Sequence, residues 1–182
     1  RAFLWSQDSS VIITTENNTC IRLPAHGESR PEVMRFNRTA GGPAALLDMR
    51  DGTRVVCMNG TGLMIPGRGD FGTAVHGSEF PYPGHTLTAI HEVGPQRVLG
   101  TGWDNAIHLY DLRGMRQDQR VLPNTSAISY SDDEIPCSLP LPDGRFAIGT
   151  KRSGLFFFDI AMSEWSSNDP VLPGVSIQTM LF

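Results

Sequence analysis

Short apolar runs separated by turn residues recur along the whole chain. The clearest unit spans residues 143–160: an Asp143-Gly144 turn, a strand-like run at 146–150, a break at Gly154 and a second apolar run at 155–160. Such runs, bounded by Gly, Pro, Asn and Asp, predict β-strands joined by tight turns. A lone two-stranded ribbon is only marginally stable in water, so this unit needs other copies of itself as packing partners.

The same order of parts occurs three more times. Strands are predicted at 3–7, 11–16 and 20–23 in the first copy, at 44–50, 54–58 and 63–66 in the second, and at 87–93, 97–101 and 107–111 in the third. In the fourth copy, a run at 135–141 precedes the two strands described above. The first turns fall near residues 8, 51, 94 and 143, which gives a repeat of about 45 residues.

Each copy also contains a weaker candidate for an outer strand, at 32–38, 77–82, 119–130 and 163–168. Three clear strands and an outer one per repeat are typical of a β-propeller blade. We therefore predict an all-β fold: a β-propeller segment of about four blades, each an antiparallel four-stranded sheet, with repeats at 1–43, 44–86, 87–134 and 135–175. Residues 176–182 are predicted to be the first strand of a further blade. We expect the natural protein to continue past Phe182 and to complete a larger propeller.

The alternative for many short strands is a β-sandwich. A sandwich would not repeat, at matched offsets, a strand with a Gly-Thr pair followed by an apolar strand that ends in Asp. The inner strands of the blades, above all residues 98–100 and 147–149, should be buried on both faces, because their side chains are small or β-branched. The other blades of the same parent chain are the first partners that this fold implies, because an uncovered edge blade exposes backbone and apolar surface.

Composition narrows the possible partners. The chain has 182 residues, 40% hydrophobic and 19% charged, which is ordinary for a soluble globular protein. A formal net charge of -4, with Lys and Arg scattered singly, argues against a nucleic-acid partner. Nineteen Gly and 13 Pro favour short strands and little or no helix. No apolar run approaches the length of a membrane-spanning helix, so we expect no direct membrane contact in this segment.

The fourth copy resembles the regulator-propeller repeat of two-component sensors. The matching positions are Asp143, Gly144, Gly149, Thr150, Gly154, Leu155, Phe156, Phe158 and Asp159, whereas Phe146, Val55 and Val98 stand where that family has Trp. The resemblance implies the periplasmic or extracellular propeller of a membrane-anchored bacterial hybrid histidine kinase. Such a segment is non-catalytic, needs no cofactor, recognises a nutrient such as a glycan fragment and relays the signal through the geometry of a homodimer.

The third copy resembles a WD repeat instead. The match consists of Gly84-His85, Trp103-Asp104, Ile107, Leu109 and residues 110–113, with Tyr110 where that family has Trp. It implies a cytoplasmic scaffold that binds other proteins. The other copies lack the Gly-His element, so the looser pattern shared by all four copies favours the regulator-propeller. A third hypothesis, a propeller enzyme such as a glycan lyase or hydrolase, has no acid–base pair to support it, and we assign no catalytic residue.

Ligand-binding residues in a propeller lie in the loops at its two ends, but the sequence does not identify them. Four aromatic residues could stack on a sugar ring, although we expect blade packing instead: Trp103, Trp165, Tyr82 and Tyr110. Three histidines of one copy, His85, His91 and His108, lack metal-ligand spacing and are expected to be ordinary hydrogen-bonded residues. The cluster Asp132-Asp133-Glu134 lacks the ligand pattern of a calcium loop, and we expect a solvated acidic turn.

The remaining motifs carry little weight. Cys20, Cys57 and Cys137 are far apart and odd in number, so we expect buried apolar residues and no disulfide framework or zinc site. The adhesion-like tripeptide Arg68-Gly69-Asp70 is short enough to arise by chance. Four Asn residues in N-x-S/T motifs would matter only in a eukaryotic secretory setting: Asn17, Asn37, Asn59 and Asn124.

Overall fold

The structure is a computed structural model, and it describes residues 3–5, 11–15, 19–23, 30–35, 43–58, 62–65, 87–114, 116–123 and 133–180. Every regular element in these ranges is a β-strand, and all strand pairs are antiparallel. Over the same ranges the structure contains no helix of a length and apolarity that would cross a membrane. The chain divides into two compact units, Arg1–Ile90 and His91–Phe182.

The first unit contains two sheets whose strands pair in chain order. The first sheet consists of β1 (Phe3–Trp5), β2 (Val11–Thr15), β3 (Thr19–Leu23) and β4 (Glu32–Arg35). The second consists of β5 (Pro43–Asp48), β6 (Arg54–Met58) and β7 (Gly62–Met64). The outer strand predicted at 77–82 lies outside the described residues.

The other two sheets have four strands each, again in chain order. The third sheet consists of β8 (Leu87–Gly94), which begins in the first unit, β9 (Arg97–Gly102), β10 (Ala106–Asp111) and β11 (Arg116–Val121). The fourth consists of β12 (Cys137–Pro140), β13 (Arg145–Gly149), β14 (Leu155–Asp159) and β15 (Glu164–Trp165). The prediction of an all-β chain built from repeated antiparallel sheets is confirmed.

The Asp-Gly turns form as the sequence predicts. Gly52 and Gly144 have positive φ angles of 83° and 85°, a region that Gly reaches without steric cost. Each preceding aspartate accepts a hydrogen bond from the backbone N–H two residues later, at 2.8 Å in Asp51 and 3.1 Å in Asp143. The same Asp-Gly turn therefore occurs in the second and fourth sheets, and its recurrence in the sequence indicates the repeat.

The core of the second unit lies between the third and fourth sheets. Its apolar side chains are Leu99, Ile107, Leu109, Leu122, Ile135, Phe146, Ile148, Phe156 and Phe158. Residues 98–100 and 147–149 are buried, as predicted for inner strands. Burial of each large side chain stabilises the fold by about 1.5–3 kcal/mol, so this cluster holds the two sheets together.

The outer strands of the third and fourth copies are shorter than predicted. In the third copy the prediction of 119–130 is wrong, since β11 runs from Arg116 to Val121. A tight turn after Asp111 places Arg116 directly opposite it, so pairing begins three residues earlier than expected. In the fourth copy only Glu164–Trp165 of the predicted 163–168 is a strand. Residues 176–180 belong to no strand, and the further blade predicted at 176–182 stays a prediction.

Candidate functional site

Three charged residues form a row across the strand ends at one end of the third sheet. The strand register pairs Asp111 on β10 with Arg97 on β9 and with Arg116 on β11. Residues directly opposite each other in an antiparallel pair share a face, with Cβ atoms about 4.5–5.5 Å apart. We call these three residues the Arg-Asp-Arg row. Both arginine charges act on the central carboxylate.

Asp111 is held in place by its own turn. One carboxylate oxygen, Oδ1, accepts hydrogen bonds from the N–H groups of Arg113 and Gly114, each at 3.0 Å. The Gly114 N–H is the main cause that lowers the pKa of Asp111, and the charges of the two arginines in the row lower it further. The carboxylate is therefore ionised at neutral pH. A Cβ at Gly114 would lie 2.8 Å from Asp111 Oδ2, so a larger residue at this position would displace the end of that side chain.

The two arginines of the row keep their hydrogen-bonding capacity. Arg97 and Arg116 are exposed, and no described residue forms a salt bridge with either guanidinium group. A guanidinium group offers five N–H donors in a planar fork. Both residues can therefore bind an acceptor from outside the chain.

The row borders an open cleft of about 570 Å³. The lining also includes Asp118 of β11 and Ser163 from the turn between β14 and β15. Arg120 joins these two walls: its Nη1 donates to Asp118 Oδ1 at 2.6 Å, and its Nε donates to the Ser163 carbonyl at 3.2 Å. The hydrogen bond from Arg120 is the main cause that lowers the pKa of Asp118. A cleft of this volume is large enough for a small-molecule ligand.

The chemistry of the cleft suits binding. Its carboxylates accept hydrogen bonds and its guanidinium groups donate them. A glycosidase needs one carboxyl group with a raised pKa as its general acid. The pKa values of Asp111 and Asp118 are both lowered, so neither residue fits that role.

The two described histidines are hydrogen-bonded residues, as expected. His91 shares a hydrogen bond of 2.9 Å with Ser138, whose hydroxyl lies 3.0 Å from that of Thr101. Burial lowers the pKa of His91 to about 4. His108 is fully buried between Asp104 and Gln117, with both hydrogen bonds 2.8 Å long. His85 lies outside the described residues. In the described ranges, His, Cys, Asp and Glu side chains form no group of three that could hold a metal ion.

The expectation of a solvated acidic turn is wrong for Asp133. Its side chain is 1% exposed, and Oδ1 accepts a hydrogen bond of 2.8 Å from the Arg152 N–H. The Ser153 hydroxyl donates to the other oxygen, Oδ2. The burial arises because the chain before β12 runs beside the turn at 150–154, where the Lys151 N–H donates to the Glu134 carbonyl at 2.9 Å. Asp132 lies outside the described residues.

Blade packing is confirmed for two of the aromatic residues. Tyr110 is 1% exposed, and Trp165 packs against Phe156 and Phe158 at ring-centroid distances of 5.8 and 5.1 Å. The expectation is wrong for Trp103, which is 60% exposed because it lies in the turn between β9 and β10 and not in a strand. Tyr82 lies outside the described residues.

The cysteines are free thiols, and two are buried as expected. Burial raises the pKa of Cys20 to about 11 and that of Cys57 to about 12, which makes both thiols unreactive at neutral pH. Cys137 is only partly buried, and its pKa is raised by the same cause.

Sequence reasoning missed the Arg-Asp-Arg row. The predicted strands 97–101 and 107–111 form a hairpin that places Arg97 opposite Asp111, so the strand pattern could have predicted this pair. The pattern could not have placed Arg116 opposite Asp111, because the outer strand was predicted to begin at residue 119. A charged residue at the end of each hairpin strand is the signal that could have identified the site.

No family model and no curated protein matches the chain, but solved structures do. The C-terminal WD40 domain of Sif2 has 14% identity and a TM-score of 0.61, over 88% of this chain and 43% of that one. The Cps50 (Swd1) β-propeller domain of Myceliophteria thermophila has 11% identity and a TM-score of 0.64, over 96% of this chain and 56% of that one.

A two-component protein is also similar. The extracellular domain of BT3049 from B. thetaiotaomicron, assigned to a hybrid two-component system, has 15% identity and a TM-score of 0.63, over 86% of this chain and 21% of that one. The chain thus has a β-propeller fold, and its neighbours include both kinds of propeller that its sequence resembles. It spans between about a fifth and just over half the length of these three chains.

Proposed function

We propose that this chain is a non-catalytic binding segment of a sensor propeller, and that its cleft takes a small polar ligand such as a glycan fragment. The observation that carries the proposal is the Arg-Asp-Arg row at the border of the open cleft. An ionised carboxylate between two guanidinium groups offers acceptors and donors side by side. Adjacent sugar hydroxyls both donate and accept, so they match this alternation.

The apolar part of the lining supports the same ligand class. Val93 and Leu109 contribute to the cleft next to the charged residues. The C–H face of a sugar ring is apolar, whereas its rim carries hydroxyls, so a mixed lining suits it. A fully charged lining would favour a simple inorganic ion instead.

The likeness to the BT3049 extracellular domain supports a role in signalling. In this proposal the chain lies in the periplasmic or extracellular part of a membrane-anchored bacterial sensor, and further blades of the parent chain complete the propeller. Ligand binding would alter the geometry of a homodimer and thereby transmit the signal. A ligand can shift such an equilibrium only by as much as its affinities for the two geometries differ.

The test is a calorimetric titration of the protein with a panel of neutral and acidic oligosaccharides. We expect at least one to bind, and Asp111→Asn to weaken its binding about tenfold or more. Asp143→Asn is the matched control, since Asp143 holds the Arg145 N–H in an equivalent turn but does not line the cleft. Absence of binding across the panel, or equal losses in the two variants, would overturn the proposal.

A protein-binding scaffold is the second candidate, and one observation favours it. Trp103 is 60% exposed in a turn at the opposite end of β9 and β10 from the row, and large exposed aromatic residues are frequent anchors of protein interfaces. In this alternative the protein lies in the cytoplasm. Capture of a defined protein partner that Trp103→Ala abolishes, together with no saccharide binding, would favour the scaffold.

A further inference from the structure

We infer that the cleft selects an acidic saccharide, whose carboxylate is bound between Arg97 and Arg116. The inference rests on the proposed function and specifies its ligand class. The charged residues of the lining are Arg97, Arg116, Asp111 and Asp118, and Arg120, which does not itself line the cleft, neutralises Asp118 through a salt bridge. The cleft therefore has an excess of one positive charge.

One excess charge matches a monoanion. A single carboxylate on the ligand would neutralise the cleft, whereas a dianion would meet the carboxylates of Asp111 and Asp118 with no cation left to balance its second charge. The chain as a whole has a formal net charge of -4, which also disfavours polyanions at long range. These charges favour a uronic-acid sugar over a phosphorylated one.

The geometry of the row favours a carboxylate for a second reason. Arg97 and Arg116 lie on either side of Asp111 in the strand register, so their guanidinium groups can approach one ligand group from two sides. Asp111 is kept in its turn by the N–H groups of Arg113 and Gly114, at 3.0 Å each, and this binding limits its capacity to engage both arginines. Guanidinium forks bind carboxylates through pairs of short, charge-assisted hydrogen bonds.

The experiment compares uronic-acid trisaccharides with their carboxyl-reduced forms, which differ only in that each COO⁻ becomes CH₂OH. Trisaccharides of two neutral sugars and one galacturonic, glucuronic or mannuronic acid are titrated into the wild-type protein in parallel with their reduced forms. We expect at least one acidic trisaccharide to bind about tenfold or more tightly than its reduced form. The preference should decline as salt concentration rises, because the ion pairs are exposed.

Substitutions of single arginines test which residues cause the preference for the acidic form. Arg97→Gln and Arg116→Gln should each reduce the preference for the acidic form about fivefold or more, with a smaller effect on the reduced form. Arg113→Gln removes the same charge from the adjacent turn, where the side chain does not line the cleft, and should leave the preference within about twofold of the wild type.

The outcomes distinguish failure of the acidic-saccharide inference from failure of the proposed function. Binding of a reduced trisaccharide as tightly as its acidic form would overturn the inference but leave the proposed function intact. Equal effects of Arg113→Gln and Arg97→Gln would overturn it as well, since general charge would then explain the preference. Absence of binding by every saccharide would overturn the proposed function itself. Binding of inorganic sulfate or acetate as tightly as the acidic trisaccharide would contradict a saccharide ligand.

Discussion

Two aspartates of the second unit show how one residue type acquires different roles. Asp133 is buried, and both of its oxygens accept hydrogen bonds from the turn at 150–154. Asp111 lies at the border of the cleft, where its own turn engages Oδ1 through two N–H groups. The fold uses both carboxylate oxygens of Asp133, whereas the turn at Asp111 uses Oδ1, and in the proposed function the other oxygen accepts a hydrogen bond from a ligand. A carboxylate whose two oxygens both accept hydrogen bonds from the chain stabilises the fold, whereas one with acceptor capacity left over can bind a ligand.

Two glycines of the fourth sheet, one in the turn at 150–154 and one in the Asp143-Gly144 turn, give the largest expected difference in stability. Gly154 and Gly144 both have positive φ, but a Cβ at Gly154 would collide with the Leu172 carbonyl, whereas one at Gly144 would contact no atom within 4 Å. We expect Gly154→Ala to reduce the free energy of unfolding by about 4 kcal/mol, and Gly144→Ala by about 1 kcal/mol. Urea denaturation measures both values. Equal losses would show that the turn at 150–154 is no more constrained than the Asp-Gly turn.

The aspartates themselves provide the second test. Asp133→Ala leaves the Arg152 N–H and the Ser153 hydroxyl without their acceptor in a buried site, and we expect a loss of about 3 kcal/mol in the free energy of unfolding. Asp111→Ala should have a much smaller effect on stability but should weaken saccharide binding about tenfold or more. Urea denaturation and calorimetric titration check the two expectations. A larger stability loss in Asp111→Ala than in Asp133→Ala would reverse the assigned roles.

Protonation gives a third and smaller effect. His91, like Asp133, is a mainly buried polar group that pairs inside the fold, and its pKa falls from 6.5 to about 4 on folding. The unfolded chain therefore binds this proton more tightly, so stability is complete above pH 6.5 and is lost as the pH falls towards 4. We expect about 2 kcal/mol of loss between pH 7 and pH 5, and His91→Gln should remove that part of the pH dependence. A variant with an unchanged pH profile would show that His91 protonates normally in the folded protein.

Saccharide binding should respond differently to pH. The pKa of Asp111 is lowered, so its charge persists through the interval in which His91 begins to protonate. Binding should therefore be retained at pH 5, provided that the protein remains folded.

Local patterns predicted most of the fold but little of the site. The Asp51-Gly52 and Asp143-Gly144 turns form as predicted, because their conformation depends on adjacent residues alone. The burial of Asp133 depends on a turn about 20 residues later in the chain, which no local pattern indicates. The Arg-Asp-Arg row depends on the register of three strands, and an error of three residues in β11 concealed Arg116.

An amide-resolved NMR titration of the protein with the acidic trisaccharides tests most directly whether the cleft is the binding site. Binding in the cleft predicts shifts concentrated at Arg97, Asp111, Arg116 and Ser163, with little change at Asp133 and residues 150–154. Variants at Arg97 and Arg116 should suppress those shifts. Shifts centred on Trp103 and the turn at 150–154, or no shifts at all, would contradict the assignment of the cleft as the binding site.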